Sequence, residues 1–326
     1  MRTAAANCRL ENPGARQSFR RALLRWYDVH KRPLPWRSNR DPYRIWISEI
    51  MLQQTRVAAV VSYYERFLQR FPDVQALAAA RLDTVLAAWS GLGYYRRARA
   101  LHAAAKQIVN EHAGKFPSSA LELRELSGIG RYTSAAIASI AFNEPIAVVD
   151  GNVERVLGRI VGKKFSGDEV WNAAQELLSR SRPGDFNQAL MELGATVCLP
   201  GEPRCDMCPV RNFCATRGAL PRTAALARRK REIHYALNLR DGEVLLTRRP
   251  KGESLMPGMW ELPGIGPQNG SSIKLRHSIT VTDYVVHVSK MEVPDENGSR
   301  WVKRTRVSAL PLTGLTRKIL RAAGVI

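Results

Sequence analysis

The stretch LSGIGRYTSAAIASIAFNEPIAVVDGNVERV, from Leu126 to Val156, decides the fold. Leu126-Ser127-Gly128-Ile129-Gly130 sets two glycines in front of a helical run, Arg131 to Phe142. Glycine reaches backbone angles closed to other residues, so these residues read as a hairpin whose N–H groups point outward. The helix behind it begins with unpaired donors and a partial positive charge. Hairpin and helix together form a cradle for an anion such as a phosphate. Further on, Asp150 follows the apolar Ile146-Ala147-Val148-Val149 and precedes Gly151-Asn152. A carboxylate placed there stands at the end of the element that grips the anion. The plain alternative is a helix–turn–helix linkage with Asp150 as the N-cap of a helix Val153 to Val161.

Composition narrows the partner. The chain has 326 residues, enough for two domains and a sizeable core. Its 45% hydrophobic and 24% charged content is that of a globular protein. The net charge of +21, from 50 Lys and Arg against 29 Asp and Glu, points to an anionic polymer, DNA or RNA. Residues 1–17 lack the apolar core of a signal peptide and read as a flexible tail, and no run approaches about 18 apolar residues. The expectation is a cytoplasmic protein with no membrane contact. Four of its five cysteines are clustered, which in a reducing compartment indicates metal rather than disulfides. Cys8, alone in the tail, reads as a free thiol.

Phe19 to His30 is periodic for a helix. Lys31-Arg32-Pro33-Leu34-Pro35-Trp36-Arg37 is extended because of its prolines. Arg32, Trp36 and Arg37 offer an aromatic plane and two guanidinium groups, suited to a nucleobase; a packed Trp beside solvated arginines fits equally. The next helix, Tyr43 to Thr55, places Glu49 on the face of Ile45 and Gln53. Desolvation there would raise the pKa of Glu49 and let it donate a proton near neutral pH. Helices follow at Val57 to Arg70, Val74 to Ala88 and Arg96 to Ala113. Between the last two, Gly91 to Tyr95 forms a tight turn with an aromatic tip, Tyr94, able to wedge into a base stack. Gln53 and Gln54 could fill the gap left by an extruded base. Arg96, Arg97 and Arg99 would meet phosphates.

Helices Asp168 to Arg180 and Phe186 to Thr196 precede Cys198, Cys205, Cys208 and Cys214. Four thiolates on a compact, irregular segment suit either zinc or a cubane cluster. Residues 217–232 are a basic, Ala-rich linker. Beyond it the hydrophobic period changes from 3.6 to 2. Strands are expected at His234 to Leu239 and Val244 to Arg248 around an Asp241-Gly242 turn. Further strands are expected at Ser278 to Val288 and Gly298 to Val302, with a closing helix at Leu315 to Ala323.

Taken together, LPWR, DPYRIWISEIMLQQTRV, GLGYYRRAR, LSGIGRYTSAAI, VVDGNVERV and the four-cysteine segment resemble the helix–hairpin–helix base-excision glycosylases, in the right order from about Arg20 to Cys214. Within that superfamily the chain is similar to the MutY-type adenine glycosylases, which act on adenine opposite 8-oxoguanine or guanine. Glu49 in SEIMLQQT favours that branch. So does Tyr132, where the endonuclease III branch would require a Schiff-base lysine. The segment KGESLMPGMWELPG with the final LPLTGLTRKIL looks like the family's Nudix-like 8-oxoguanine reader.

The resemblance implies a mainly α fold: a helix–hairpin–helix glycosylase domain over residues 18–216 with an Fe–S loop at 198–214, and a small α+β Nudix-like domain over 233–326. It implies a [4Fe–4S] cluster on the four cysteines and a monomer acting on double-stranded DNA with A:8-oxoguanine or A:G mispairs. Glu49 would be the general acid and Asp150 would stabilise the oxocarbenium-like sugar. Tyr132 and Asn152 would support them, and Arg32, Trp36 and Arg37 would line the base pocket. Gln53, Gln54, Tyr94, Gly128, Gly130 and Arg131 would contact DNA. The reader's Phe-Ser-His loop corresponds here to His277-Ser278-Ile279-Thr280-Val281. Thr280 keeps a hydroxyl but the histidine position is Val281, and Ile265 to Arg276 is too short for the helix expected there. The second domain therefore reads as trimmed, and without an acidic Nudix box no nucleotide hydrolysis is expected. A bifunctional glycosylase/lyase and a non-catalytic Fe–S DNA-binding protein are the alternatives.

Overall fold

The computed structural model describes residues 10, 12–218, 228–253, 255–268, 270, 272–279, 281–295 and 298–326. Cys8, most of the expected tail, the middle of the linker and Thr280 lie outside them. The helices in chain order are α1 (Pro13–His30), α2 (Pro42–Leu52), α3 (Val57–Arg70), α4 (Val74–Ala79), α5 (Leu82–Trp89), α6 (Arg96–Glu111), α7 (Ala120–Leu123), α8 (Arg131–Ala141), α9 (Gly151–Val161), α10 (Glu169–Leu177) and α11 (Pro183–Thr196). Then come β1 (Arg229–Leu237), β2 (Leu239–Arg240), β3 (Glu243–Arg248), β4 (Trp260–Glu261), β5 (Gly264–Ile265), β6 (Ile273–Ile279), β7 (Thr282–Lys290) and β8 (Ser299–Lys303), with α12 (Arg304–Val307) and α13 (Gly314–Ala322). Among the described residues no helix is long and apolar enough to cross a membrane.

Two compact units cut across the linear order. The first holds residues 1–53 and 107–223, the second 54–106 and 224–326. In the first, α1 starts at Pro13, inside the stretch read as tail. Asn12 accepts a hydrogen bond from the Gly14 N–H at 2.8 Å, and Pro13 sits where its missing N–H costs nothing. Phe19, Leu23 and Tyr27 of α1 pack with Val153, Val156 and Leu157 of α9 and Phe186, Leu190 and Leu193 of α11 in one core. Helix α2 is buried on every face, from Tyr43 through Met51 apart from Arg44. It packs on α8, whose run of small residues, Thr133 to Ala138 with one Ile, permits close approach.

Two glycines of α11 set the spacing around this core. A Cβ on Gly184 would lie 2.6 Å from the Ser139 carbonyl oxygen, and one on Gly194 would lie 2.6 Å from Asn152 Cβ. So α8 and the start of α9 rest directly on the backbone of α11. The extended segment before α2 is tied to the same helix. Glu192, 1% exposed, accepts from the Arg32 backbone N–H (3.2 Å), from Arg32 Nε (2.6 Å) and Nη2 (2.8 Å), and from Arg37 Nη2 (2.9 Å). Burial alone would raise its pKa, but the two guanidinium groups overcome this and hold the carboxyl at about 2.

In the second unit, the segment expected to form one helix from Val74 to Ala88 is broken at Ala80, whose backbone is extended. His102 Nε2 lies 2.9 Å from the freed Ala80 carbonyl. The C-terminal strands form two sheets, one ordered β5-β1-β7-β6, the other β2-β3-β4 with β8 also on β3. Strands β1 and β7 are parallel, His234 facing His287. The expected hairpin at Asp241-Gly242 exists, with φ of 49° and 73°, but its first arm is only β2. At the buried Asn238 the chain leaves one sheet for the other. The single strand expected from Ser278 to Val288 is instead an antiparallel pair, β6 and β7, with Ile279 opposite Thr282. Between the sheets and α13, Leu237, Leu246, Leu262, Val286, Ile319 and Leu320 form a second core.

Gly194→Ala should destabilise the protein by about 1–3 kcal/mol through forced displacement of Asn152. Gly151→Ala, where a Cβ meets nothing within 4 Å, should be neutral or stabilising; urea unfolding of both variants checks the contrast. Glu192→Gln should cost about 3 kcal/mol at pH 7 by leaving two guanidinium groups without their carboxylate. Because the folded-state pKa of Glu192 is depressed, its contribution is present above about 4.5 and disappears as the pH falls through about 2. The difference between wild type and variant should therefore shrink in acid.

Candidate active site

The first unit brings Glu49, Tyr132, Asp150 and Asn152 into one electrostatic neighbourhood. Glu49 comes from the middle of α2 and is 6% exposed. Tyr132, in the first turn of α8, donates its hydroxyl proton to Glu49 Oε2 at 2.7 Å and also touches Met191 Sδ at 3.4 Å. Burial dominates at Glu49. The Tyr132 hydrogen bond and Arg37 favour its charged form, Asp150 disfavours it, and the balance pushes the pKa up to about 7. Burial, followed by the charges of Glu49 and Asp150, holds the Tyr132 phenol well above its ordinary range. Glu49 and Tyr132 therefore sense each other and Asp150, and Glu49 is poised to hold a proton near neutrality.

Asp150 caps α9. Its Oδ1 accepts the Val153 N–H at 2.8 Å, and its Oδ2 accepts Asn152 Nδ2 at 2.8 Å. The capping reading and the functional one are thus compatible: the cap fixes the carboxylate. Asn152 is held in turn by Arg155, whose Nη2 donates to Asn152 Oδ1 (2.9 Å) and to the Gly194 carbonyl (2.8 Å). Arg155 Nε reaches the Cys198 carbonyl at 3.0 Å. Met191, Glu192 and Arg155 were not singled out from the sequence. Met191 reads as one more core residue and Glu192 and Arg155 as ordinary helix charges, and only the fold shows what each meets.

Arg32 and Arg37 are engaged by Glu192 rather than free to solvent, and Arg37 also stands 5.5 Å from the centre of the Tyr27 ring. Trp36 is 7% exposed, in a short 3-10 turn, Pro35–Arg37. Gln53 ends α2 and donates through Nε2 to Thr133 Oγ1 at 3.2 Å. The hairpin forms as expected. Gly128 has φ +75°, Leu126 and Ile129 are buried, and the Ser127 N–H is held by Gln107 Oε1 at 2.8 Å. Gly130 is the N-cap of α8, with no side-chain cap for the first-turn N–H groups. Arg131 is paired with Asp168, its guanidinium 4.0 Å from the centre of the Trp171 ring.

Gln54 and Tyr94 belong to the second unit. Both have left-handed backbones, φ 56° and 50°, and both are exposed. Left-handed non-glycine residues are uncommon, and here they fall on two residues singled out for intercalation. Arg97 and Arg99 depart from expectation. Arg97 turns inward, with Nη2 donating to Thr55 Oγ1 and to the Leu92 and Gly93 carbonyls at 3.2–3.4 Å, and burial lowers its pKa to about 10. Arg99 bonds the Pro257 carbonyl. These two arginines shape the loop rather than offering themselves to phosphates. Ser278 donates to Asp283 Oδ1 at 2.6 Å, and burial beside Lys318 lowers the pKa of His277.

Cys198, Cys205, Cys208 and Cys214 line a single cavity with Arg159, Arg204 and Arg211. Arg159 Nη1 donates to Cys198 Sγ at 3.2 Å, and the Arg217 N–H donates to Cys214 Sγ at 3.4 Å. Donors aimed at sulfur suit thiolate ligands. Phe213, between the last two cysteines and the core, packs edge-on against Phe19 at 5.7 Å.

Comparison with known proteins agrees with this geometry. Residues 47–180 match the family described as HhH-GPD superfamily base excision DNA repair protein. The adenine DNA glycosylase of Mus musculus is 47% identical over 247 residues, covering 71% of this chain and 48% of that protein. That of Homo sapiens is 48% identical over 225 residues (64% and 41%), and that of Arabidopsis thaliana 40% over 301 (76% and 48%). The chain thus spans about half the length of the curated relatives it matches. A thermostable thymine-DNA glycosylase superposes with a TM-score of 0.58 at 29% identity, over 62% of this chain and 96% of that one. An endonuclease III in a non-covalent DNA complex gives 0.53 at 21% identity with the same coverage, a likeness of fold. Over residues 47–180 the chain thus matches the HhH-GPD base-excision repair family, and across about two thirds of its length it is similar to the adenine DNA glycosylases of the MutY type.

Proposed function

We propose that the chain is a monofunctional adenine DNA glycosylase that excises adenine opposite 8-oxoguanine or guanine. The observation that carries this reading is the buried Glu49 carboxyl, near its midpoint of protonation at pH 7 and bonded to Tyr132, within the electrostatic reach of Asp150. Cleaving an N-glycosidic bond needs a proton delivered to the departing base and negative charge beside the sugar cation that forms. Glu49 delivers the proton to a ring nitrogen of adenine and then receives one from the attacking water. Asp150, fixed by Val153 N–H and Asn152, faces the sugar. Tyr132 occupies the place a lyase would give to lysine, and a phenol there cannot form an imine with the sugar.

The hairpin and the uncapped start of α8 hold a phosphate of the flipped strand. Gln53, Gln54 and Tyr94 fill and wedge the gap. The C-terminal domain, with Ser278 and His277 on β6, is read as a trimmed Nudix-like reader of the opposite base. A monomer acts on the duplex, in the cytoplasm.

The four cysteines would hold a [4Fe–4S] cluster, which supplies a cross-link for an otherwise irregular loop. The N–H groups of Arg159 and Arg217 aimed at sulfur support thiolate ligation at these positions, and the choice of a cluster over zinc rests on the family resemblance.

Glu49→Gln and Asp150→Asn should each slow single-turnover adenine release by about 10²–10⁴-fold while leaving duplex binding largely intact; retained turnover in either variant removes the role assigned to it. Release should fall as the pH rises through about 7, where Glu49 loses its proton. Tyr132→Phe removes a bond that favours the charged form, so the fall should move to higher pH. Anaerobically purified protein should contain iron and labile sulfide in equal amounts, and Cys208→Ala should lose both.

A further inference from the structure

We propose that Glu232, His234 and His287 form a binding site for a divalent transition metal ion on the outward face of the β5-β1-β7-β6 sheet. Along β1, Ile233, Tyr235 and Leu237 face the core, so Glu232 and His234 share the opposite face. The parallel register of β1 and β7 sets His234 against His287. The two imidazole rings stack 4.6 Å apart with planes 11° from parallel. His287 Nε2 lies 3.6 Å from Glu232 Oε2, and one donor atom from each of the three residues lies within 4.8 Å of the others.

These distances suit one ion. Zinc binds nitrogen and carboxylate oxygen at about 2.0–2.2 Å, so tetrahedral donors stand about 3.4 Å apart. The Glu232–His287 edge is already close to that length, and turning one imidazole out of the stack would bring its nitrogen onto the same ion. Two imidazoles and one carboxylate select Zn²⁺, Co²⁺, Ni²⁺ or Cu²⁺ over Mg²⁺ and Ca²⁺, which prefer all-oxygen sites. Of the charged neighbours on this face, Asp283 is already taken by Arg228 and Ser278. Lys274, opposite His287 on β6, is exposed and free to swing aside. The ion would pin β1, at the entrance to the C-terminal domain, to β7, a strand that arrives only after the intervening hairpin and loops. Nothing in this site takes part in the glycosylase chemistry, so it stands or falls independently of that reading.

The test is Co²⁺ and Zn²⁺ uptake by the cluster-loaded full chain, compared with His287→Ala, His234→Ala and Glu232→Gln. Uptake by cysteines is common to all four proteins and cancels. The wild type should bind one further equivalent of Zn²⁺, give visible Co²⁺ d–d absorption without thiolate charge-transfer bands, and gain thermal stability with added Zn²⁺. The histidine variants should lose all three while retaining adenine release, and Glu232→Gln should bind more weakly. Equal uptake by wild type and His287→Ala, or Co²⁺ spectra showing thiolate ligation alone, would overturn the proposal.

Discussion

Burial of one carboxyl group governs this structure. Glu49 sits on a helix with apolar neighbours on every side, and an acid there would ordinarily be excluded. It is retained because Tyr132 gives it a hydrogen bond and Arg37 gives it a nearby cation. Neither is sufficient to return the acid to its ordinary pKa. The surrounding architecture follows from holding that compromise in place. Helix α8 brings Tyr132, α11 brings Met191 and the Glu192 that restrains Arg37, and α9 brings Asp150 with its own donors.

Glu49 and Glu192 show how environment separates chemically similar groups. Glu192 is as buried as Glu49, yet it lies at the opposite end of the acidity range. The difference is two guanidinium groups at hydrogen-bond distance. One acid is thereby assigned to structure and the other left available for proton transfer. Building both on helices rather than loops gives the geometry its precision.

Much of this was legible in the residues. The glycine hairpin, the Asp150 cap and the lone Glu49 among Ile45, Trp46 and Ile50 are local signals, and α3 runs from Val57 to Arg70 as its periodicity predicts. What escaped the sequence is what depends on distant partners. Glu192 reads as one more polar residue until Arg32 and Arg37 arrive from the other end of the chain. Arg97 looks like a phosphate contact because its inward turn depends on the Gly91–Tyr95 loop folding back over Thr55. The strand break between β6 and β7 was missed because Ser278 to Val288 alternates well enough to pass for one strand. The change of sheet at Asn238 leaves no mark in the hydrophobic pattern at all.

The buried polar group is assembled from Arg32, Arg37, Glu49, Tyr132, Asp150 and Glu192, and the compact unit that holds them omits residues 54–106. During synthesis, α2 therefore emerges long before α8 and α11 exist to cover it. The nascent chain carries an uncovered apolar helix with an unshielded acid in its middle, and the long-range loop must close before either is sheltered. A ribosome that stops short of α11 releases a product with two orphaned arginines and an open core, a substrate for proteases rather than a partly working enzyme.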